Sequence, residues 1–275
     1  MPEVSPQPAE VKPQFPKVTV LIVSRNCVQQ LRRTLEALKN AQYRDLIEIL
    51  VVDLGSRDGS GQIDAEMTGV TVLRLPRHFG KARARNIGTR TASGEFLLFL
   101  DPTVELPPPA VATMAKALDA DSEVGAVLLG PFELPDIRML KRWCVEGGPE
   151  PPAILVRKTF VAGMNYFDEK RYSHFGGDLE LFRQLRIAGK KVLVLNDLHA
   201  SPQAKPAGDD QPSDRALLLA ERIQGAAAYV GKHDGFAAGM KFRLGFIFSS
   251  LGKIRVLLHL LSAQRIDGTQ TSGFL

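Results

Sequence analysis

Short unbroken apolar runs recur along the chain as far as residue 195, and stretches of helical periodicity lie between them. Residues 18–23, 47–52, 70–75, 96–100 and 124–129 are such runs, rich in Val, Ile and Leu and closed by polar or turn residues. Runs of this length predict strands buried on both faces. After the first, Leu31, Leu35 and Leu38 recur at helical spacing, and Asn26 is placed to cap that helix. Residues 80–92 read as a second helix. Pro107, Pro108 and Pro109 open a third, through Leu118, since proline suits a first turn. The middle is less regular. Residues 153–156 predict a strand, 178–188 a helix stopped by Gly189, and 191–195 a closing strand. Strands alternating with helices predict an α/β fold, a mostly parallel Rossmann-like sheet flanked by helices.

Composition then divides the chain. Residues 1–16 are proline-rich and hold no apolar stretch, which predicts a disordered tail and not a signal peptide. The α/β domain is expected over 17–201. Residues 202–214 lie in a run of Pro, Gly, Ser and Asp and predict a linker. Residues 215–275 predict a basic helical extension. The net charge is +5, and eight Lys/Arg against two acids give +6 between Arg215 and Arg265. The remainder is near neutral, so the basic character belongs to the C-terminal piece and implies an anionic surface or ligand there. Lys241, Arg243, Lys253 and Arg255 interrupt its apolar stretches, which excludes a membrane-spanning helix. Apolar residues flanked by cations suit a helix lying on an anionic bilayer, and equally a helical pair packed on the domain. Few aromatics accompany the charge, so a nucleic-acid partner is not expected. Two cysteines in 275 residues exclude a disulfide framework and fit a reducing compartment.

Candidate chemistry sits at strand ends. Asp53 ends the second run and Asp101 the fourth, each before a loop. In open α/β sheets, ligands bind outside the carboxyl ends of the strands. Either acid could instead stabilise its own turn. Lys81, Arg83 and Arg85 lie near a glycine-preceded helix start, where free N–H groups and the helix dipole favour a phosphate. Asp178 opens a helix, where the dipole helps keep a carboxylate ionised. Asp58 is expected to cap the helix that follows it. No Gly-x-Gly-x-x-Gly follows the first strand, so a dinucleotide-binding dehydrogenase is a poor fit.

Five segments together resemble the family 2 glycosyltransferases. Residues 20–26 (Val-Leu-Ile-Val-Ser-Arg-Asn) resemble the family's opening strand. Residues 53–60 (Asp-Leu-Gly-Ser-Arg-Asp-Gly-Ser) resemble its Asp-Asp-Gly-Ser-x-Asp-Gly-Ser loop. Residues 78–88 resemble Asn-x-Gly-x-x-x-Ala-Arg-Asn-x-Gly. Asp101-Pro102-Thr103 stands in place of the Asp-x-Asp motif. Gly177-Asp178-Leu179-Glu180-Leu181, with Arg183, resembles the Glu-Asp-x-x-Leu-x-x-Arg helix. The match runs from about residue 18 to residue 201.

The resemblance implies a GT-A fold and an inverting transferase of hexosyl type. It would move a sugar from a nucleoside-diphosphate sugar to a hydroxyl acceptor, a lipid-linked or cell-envelope glycan. It implies nucleotide contacts from Ser24, Asp53, Lys81, Arg85 and Asp101, and Asp178 as catalytic base. It implies a divalent cation, Mg2+ or Mn2+, on Asp101, with His199 as a further ligand. Phe167-Asp168-Glu169 and Trp143 would line the acceptor side. The expected setting is the cytoplasm, peripheral on the inner face of the plasma membrane. The chain departs from the pattern at Thr103 and Gly177, where the family carries acids. A hydroxyl is a poorer ligand for a hard cation than a carboxylate. A catalytically weak or silent nucleotide-sugar-binding scaffold at the membrane is therefore the alternative.

Overall fold

The computed structural model describes residues 16–130, 135–146, 150–204, 212–249 and 253–262. The chain opens with β1 (Val18–Ser24), α1 (Val28–Lys39), β2 (Ile47–Asp53), α2 (Ile63–Glu66), β3 (Val70–Arg74), α3 (Lys81–Thr91) and β4 (Phe96–Leu100). It continues through β5 (Val104–Glu105), α4 (Ala110–Ala120), β6 (Val124–Leu129), α5 (Ile137–Glu146), β7 (Ala153–Arg157) and α6 (Lys158–Gly163). It closes with α7 (Gly177–Ile187), β8 (Lys191–Leu195), β9 (Ser201–Pro202), α8 (Pro212–His233), α9 (Phe236–Ser249) and α10 (Ile254–Ser262).

Seven strands form one sheet in the order β3-β2-β1-β4-β7-β6-β8. All neighbours are parallel except β7, which runs against both β4 and β6. The expected strands and helices are present, and the sheet is mostly parallel as predicted. Periodicity reports burial and not direction, so the reversal of β7 left no trace in the apolar pattern. Each strand alternates between two cores. Val18, Val20 and Ile22 of β1 face α1 and α4 with Leu31, Leu35, Met114 and Leu118. Leu21, Leu50, Val52 and Phe99 face the other way, against α3 and α7 with Ala82, Ala84, Leu181 and Phe182.

The chain moves outward from β1 through β2 to β3, then returns to place β4 on the opposite side of β1. The strand order reverses at this point, and a crevice opens above the carboxyl ends of β1, β2 and β4. Two loops are fastened together at its floor. Asn26 Oδ1 accepts the Arg57 N–H, and the Asn26 N–H donates to Ser56 Oγ. Asp58 Oδ2 accepts the Val28 N–H and so caps α1, while its Oδ1 accepts the Ser60 N–H and hydroxyl. Asp58 therefore caps the earlier helix as well as its own turn. Asn26 adopts a left-handed φ of 46° and ties the loops together instead of capping α1.

The C-terminal helices pack on this body. Leu140, Trp143 and Cys144 of α5, Phe175 just before α7 and Leu179 within it share a third core with Ala220, Ile223 and Val230 of α8. Phe242 and Phe246 of α9 and Val256 and Leu260 of α10 complete it. Gly225 permits the close approach, since a Cβ there would lie 2.4 Å from the Phe175 carbonyl oxygen. The expected linker shortens accordingly. Ser201 and Pro202 pair with β5, helix resumes at Pro212, and residues 205–211 lie outside the described residues, as does nearly all of the expected tail over 1–16. The extension expected over 215–275 is described as far as residue 262, apart from 250–252. Among the described residues no helix is long and apolar enough to cross a membrane.

A buried polar latch joins α7 to the end of α8. Glu180 accepts hydrogen bonds from Lys232 Nζ at 2.7 Å, Gln184 Nε2 at 2.7 Å and the Tyr172 hydroxyl at 3.2 Å, and His233 Nε2 lies 2.7 Å from it. Burial alone would raise the Glu180 pKa, but Lys232, His233 and Gln184 outweigh it and bring it down from 4.5 to about 2. A carboxyl depressed in the folded state contributes stability above its unfolded pKa and loses it as pH falls towards the folded value. Wild type is thus expected to lose about 2 kcal/mol between pH 4.5 and 2 that Glu180→Gln does not lose, after allowance for solvent screening at Lys232. Urea unfolding across that range checks it, and equal losses in the two proteins would refute the latch.

Gly80 sets the entry to α3. Its φ is 91° and ψ is 155°, a region open to glycine alone, and a Cβ would lie 2.4 Å from Ser173 Oγ. Gly80→Ala is expected to destabilise the protein by about 1–3 kcal/mol, as denaturant midpoints will show.

Candidate active site

A cleft of about 270 Å³ occupies the crevice at the strand reversal. Its floor is the ends of β1 and β4, with Ser24, Arg25, Asp101 and Pro102, and Leu54 just past β2. Lys81 and Arg85 of α3 form one wall, and Glu150, Pro151 and His174 another. Leu218 and Arg222 of α8 also face it. A smaller pocket of about 30 Å³ adjoins it and shares Lys81, Arg85, Glu150, Pro151 and His174. Asp178 and Trp143 line this second pocket. The cleft thus gathers Ser24, Lys81, Arg85 and Asp101 from the expected set, with Asp178 next door.

Asp178 and Arg85 are the electrostatic centre. Arg85 is 7 % exposed, and its guanidinium lies 4.8 Å from the Phe99 ring centre and 5.5 Å from that of Phe167. It pairs directly with Asp178 Oδ1. Asp178 Oδ2 stands 3.7 Å from Lys81 Nζ, beyond ordinary hydrogen-bond distance. Burial raises the Asp178 pKa, but Arg85 and then Lys81 overcome it and hold the carboxyl below its ordinary value. It is therefore ionised at neutral pH, with Oδ2 as its less engaged oxygen. Lys81 also donates to Glu150 Oε2 at 2.7 Å. Burial pulls the Lys81 pKa down, yet Glu150 and Asp178 raise it on balance, so the ammonium stays charged.

Asp101 has a different partner. Its Oδ1 accepts the Thr103 N–H at 2.8 Å and the Thr103 hydroxyl at 2.6 Å. Thr103 thus holds the Asp101 carboxylate where a second acid would repel it. Asp53 is 3 % exposed and spends its oxygens on its own loop, accepting from the Gly55 and Ser56 N–H groups and the Ser56 hydroxyl. It is not among the residues that line the cleft, although the loop it shapes presents Leu54 there. His199 is exposed and stands away from both pockets. Arg83 points outward, 3.9 Å from Glu169 and stacked on Phe79. Of the expected acceptor-side residues, Phe167 and Trp143 line the small pocket.

Three residues had no motif to announce them. Glu150 precedes two prolines. His174 is partly buried with Nε2 3.4 Å from Glu221, and desolvation, then His78 and the cations Lys81, Arg25 and Arg222, hold its pKa well below 6.5. Arg222 belongs to the basic surplus of the C-terminal piece, the one sequence signal that pointed at it. Among the described residues no three His, Cys, Asp or Glu come together as metal ligands. With Thr103 in place of a second acid and His199 outside both pocket linings, Asp101 is the one carboxylate of the expected metal set at the cleft, and a single carboxylate is a weak site for a divalent cation unless a bound diphosphate supplies further oxygens.

The arrangement offers an anion-attracting cleft, since Arg25, Lys81, Arg85 and Arg222 face it against Asp101 and Glu150. Beside it lies an ionised carboxylate able to accept a proton. Known proteins share this architecture. The structure is similar to a mannosyltransferase from Pyrobaculum calidifontis in complex with GDP-Man and Mn2+, at a TM-score of 0.58 and 19 % identity, covering 94 % of this chain and 83 % of that one. It is also similar to residues 1–349 of S. aureus TarS, at a TM-score of 0.56 and 15 % identity, covering 90 % and 89 %. These likenesses establish the GT-A fold. In sequence the chain is 24 % identical to Glycosyltransferase AglE of Haloferax volcanii over 71 % of its own length and 69 % of that protein's. It is 27 % identical to the pre-mycofactocin glycosyltransferase of Mycobacterium tuberculosis, over 78 % of its own length but only 47 % of that relative's. It spans 16 % of Glycosyltransferase GlyA of Streptococcus pneumoniae, at 32 % identity. The family model for glycosyl transferase family 2 matches residues 19–167, more than half of the chain, and the chain belongs to that family.

Proposed function

We propose that this chain is an inverting glycosyltransferase that takes a sugar from a nucleoside diphosphate to a hydroxyl acceptor. The observation that carries this is the partly buried, ionised Asp178 beside a cation-lined cleft. The acceptor hydroxyl would give its proton to Asp178 Oδ2 as its oxygen bonds to the anomeric carbon. The bond from that carbon to the diphosphate oxygen breaks on the opposite face, and the nucleoside diphosphate leaves with the electron pair. Ser24 and the Asp53 loop would receive the nucleoside end, and Asp101, Lys81 and Arg85 the diphosphate end. Arg85 lines both pockets, so an incoming diphosphate competes with Asp178 for one guanidinium. As Arg85 shifts towards phosphate, the Asp178 pKa rises and the carboxylate becomes a better base.

The acceptor side favours a lipid-linked or envelope glycan at the cytoplasmic face of a membrane. Phe236, Leu244 and Phe248 of α9 and Ile254, Leu258 and Leu261 of α10 are 42–70 % exposed. Exposed Lys241, Lys253 and Arg255 flank them. Apolar side chains ringed by cations suit the surface of an anionic bilayer. A second role, a silent nucleotide-sugar-binding scaffold, is favoured by Thr103 engaging Asp101.

Asp178→Asn is expected to lower transfer by about 10²–10⁴-fold while leaving nucleoside-diphosphate affinity within about tenfold. Radiolabelled donors and calorimetry measure the two. Wild-type binding without turnover across donors and acceptors would instead support the scaffold. Flotation should carry the protein with vesicles containing anionic lipid and not with neutral ones. Ile254→Asp with Leu258→Asp should abolish flotation without changing donor hydrolysis.

A further inference from the structure

Residues of the fold's motifs leave the cleft short of acids and rich in cations. Asp101 engages Thr103 through one oxygen, and the family position before Asp178 is Gly177. Four cations face the cavity, and one of them comes from outside the family-matched residues 19–167. That one is Arg222 on α8, partly exposed, and it makes no ion pair among the described residues. Its neighbour Glu221 turns instead to His174. The backbone at Arg222 is anchored, since the Cys144 thiol donates to its carbonyl and Ile223 is buried in the third core. A planar guanidinium on a fixed helix matches the geometry of a phosphate better than a flexible ammonium does.

We infer that Arg222 is a ligand of the donor's diphosphate, supplying from the C-terminal extension the positive charge that a metal held by paired acids would otherwise bring. This rests on the nucleoside-diphosphate site proposed above. Lys81 and Arg85 meet the diphosphate from α3, and Arg222 meets it from α8. The leaving diphosphate is then stabilised by fixed protein charges, which need no reorganisation as charge develops.

Titration calorimetry of the full chain with UDP, GDP and ADP, each in EDTA and in Mn2+, tests it. The proteins compared are wild type, Arg222→Gln, Arg222→Lys and Arg186→Gln, the last an exposed position on α7. At least one nucleoside diphosphate should bind wild type in EDTA within about threefold of its affinity in Mn2+. Arg222→Gln should weaken that binding about tenfold or more, as expected for loss of one charge-assisted phosphate contact. Arg222→Lys should fall between, and Arg186→Gln should match wild type. Circular dichroism confirms that each variant is folded, and Arg222→Lys carries the test should Arg222→Gln fail to fold. Binding abolished by EDTA overturns the inference, as does an Arg222→Gln affinity equal to wild type, and both leave the nucleotide site standing. Absence of binding in either condition removes the nucleotide site and this inference together.

Discussion

The pairing of buried Arg85 with partly buried Asp178 holds the site in register. α3 and α7 lie on the same face of the sheet, and the pair bridges the second turn of α3 and the first turn of α7. Neither charge could be buried alone. Taking a single partner away from such a pair costs about 3–5 kcal/mol, because the other is left uncompensated in a poorly hydrated place. Phe99 and Phe167 enclose the guanidinium with ring faces that attract a cation. The same low dielectric that makes the pair costly to break makes its field strong in the adjoining cleft. One arrangement therefore sets the spacing of two helices and the charge state of the residue proposed as base.

Much of the frame was legible because burial on both faces leaves a simple mark. Strands such as β1, β2, β4 and β6 are apolar along nearly their whole length, and a parallel sheet demands that. What escaped was set by contacts distant in sequence. α5 carries Ile137, Leu140, Trp143 and Cys144 among charges, and its burial depends on α8 some eighty residues later. β5 and β9 are two residues each and exist only through one another. Asp58 caps α1 from a loop thirty residues downstream, a partnership that local capping rules do not reach.

The site divides along the same line. Asp101, Arg85 and Asp178 sit in motifs whose order along the chain follows the order of the strands, and the fold collects them at the strand reversal. Asp53 shows the limit of motif reasoning. Its position at the end of β2 is as expected, but its oxygens are committed to its own turn. Glu150, His174 and Arg222 reach the cleft from an irregular segment and from the extension, where nothing in their immediate neighbours marks them. The charge imbalance of the C-terminal piece was visible, but a surplus on a sequence does not say whether it faces outward or inward. The structure divides it, with Arg222 turned to the cleft and Lys241, Lys253 and Arg255 on the outer surface.

Helix α8 serves two neighbours at once. One of its sides lines the cleft through Leu218 and Arg222, and others seat α5, α9 and α10. The extension is therefore not a detachable module. Grafting it onto another family member, or exchanging it for a relative's tail, would rebuild part of the cleft lining along with the outer surface. One helix thus joins the lining of the cleft to the packing of α9 and α10, so a chimera cannot vary either alone.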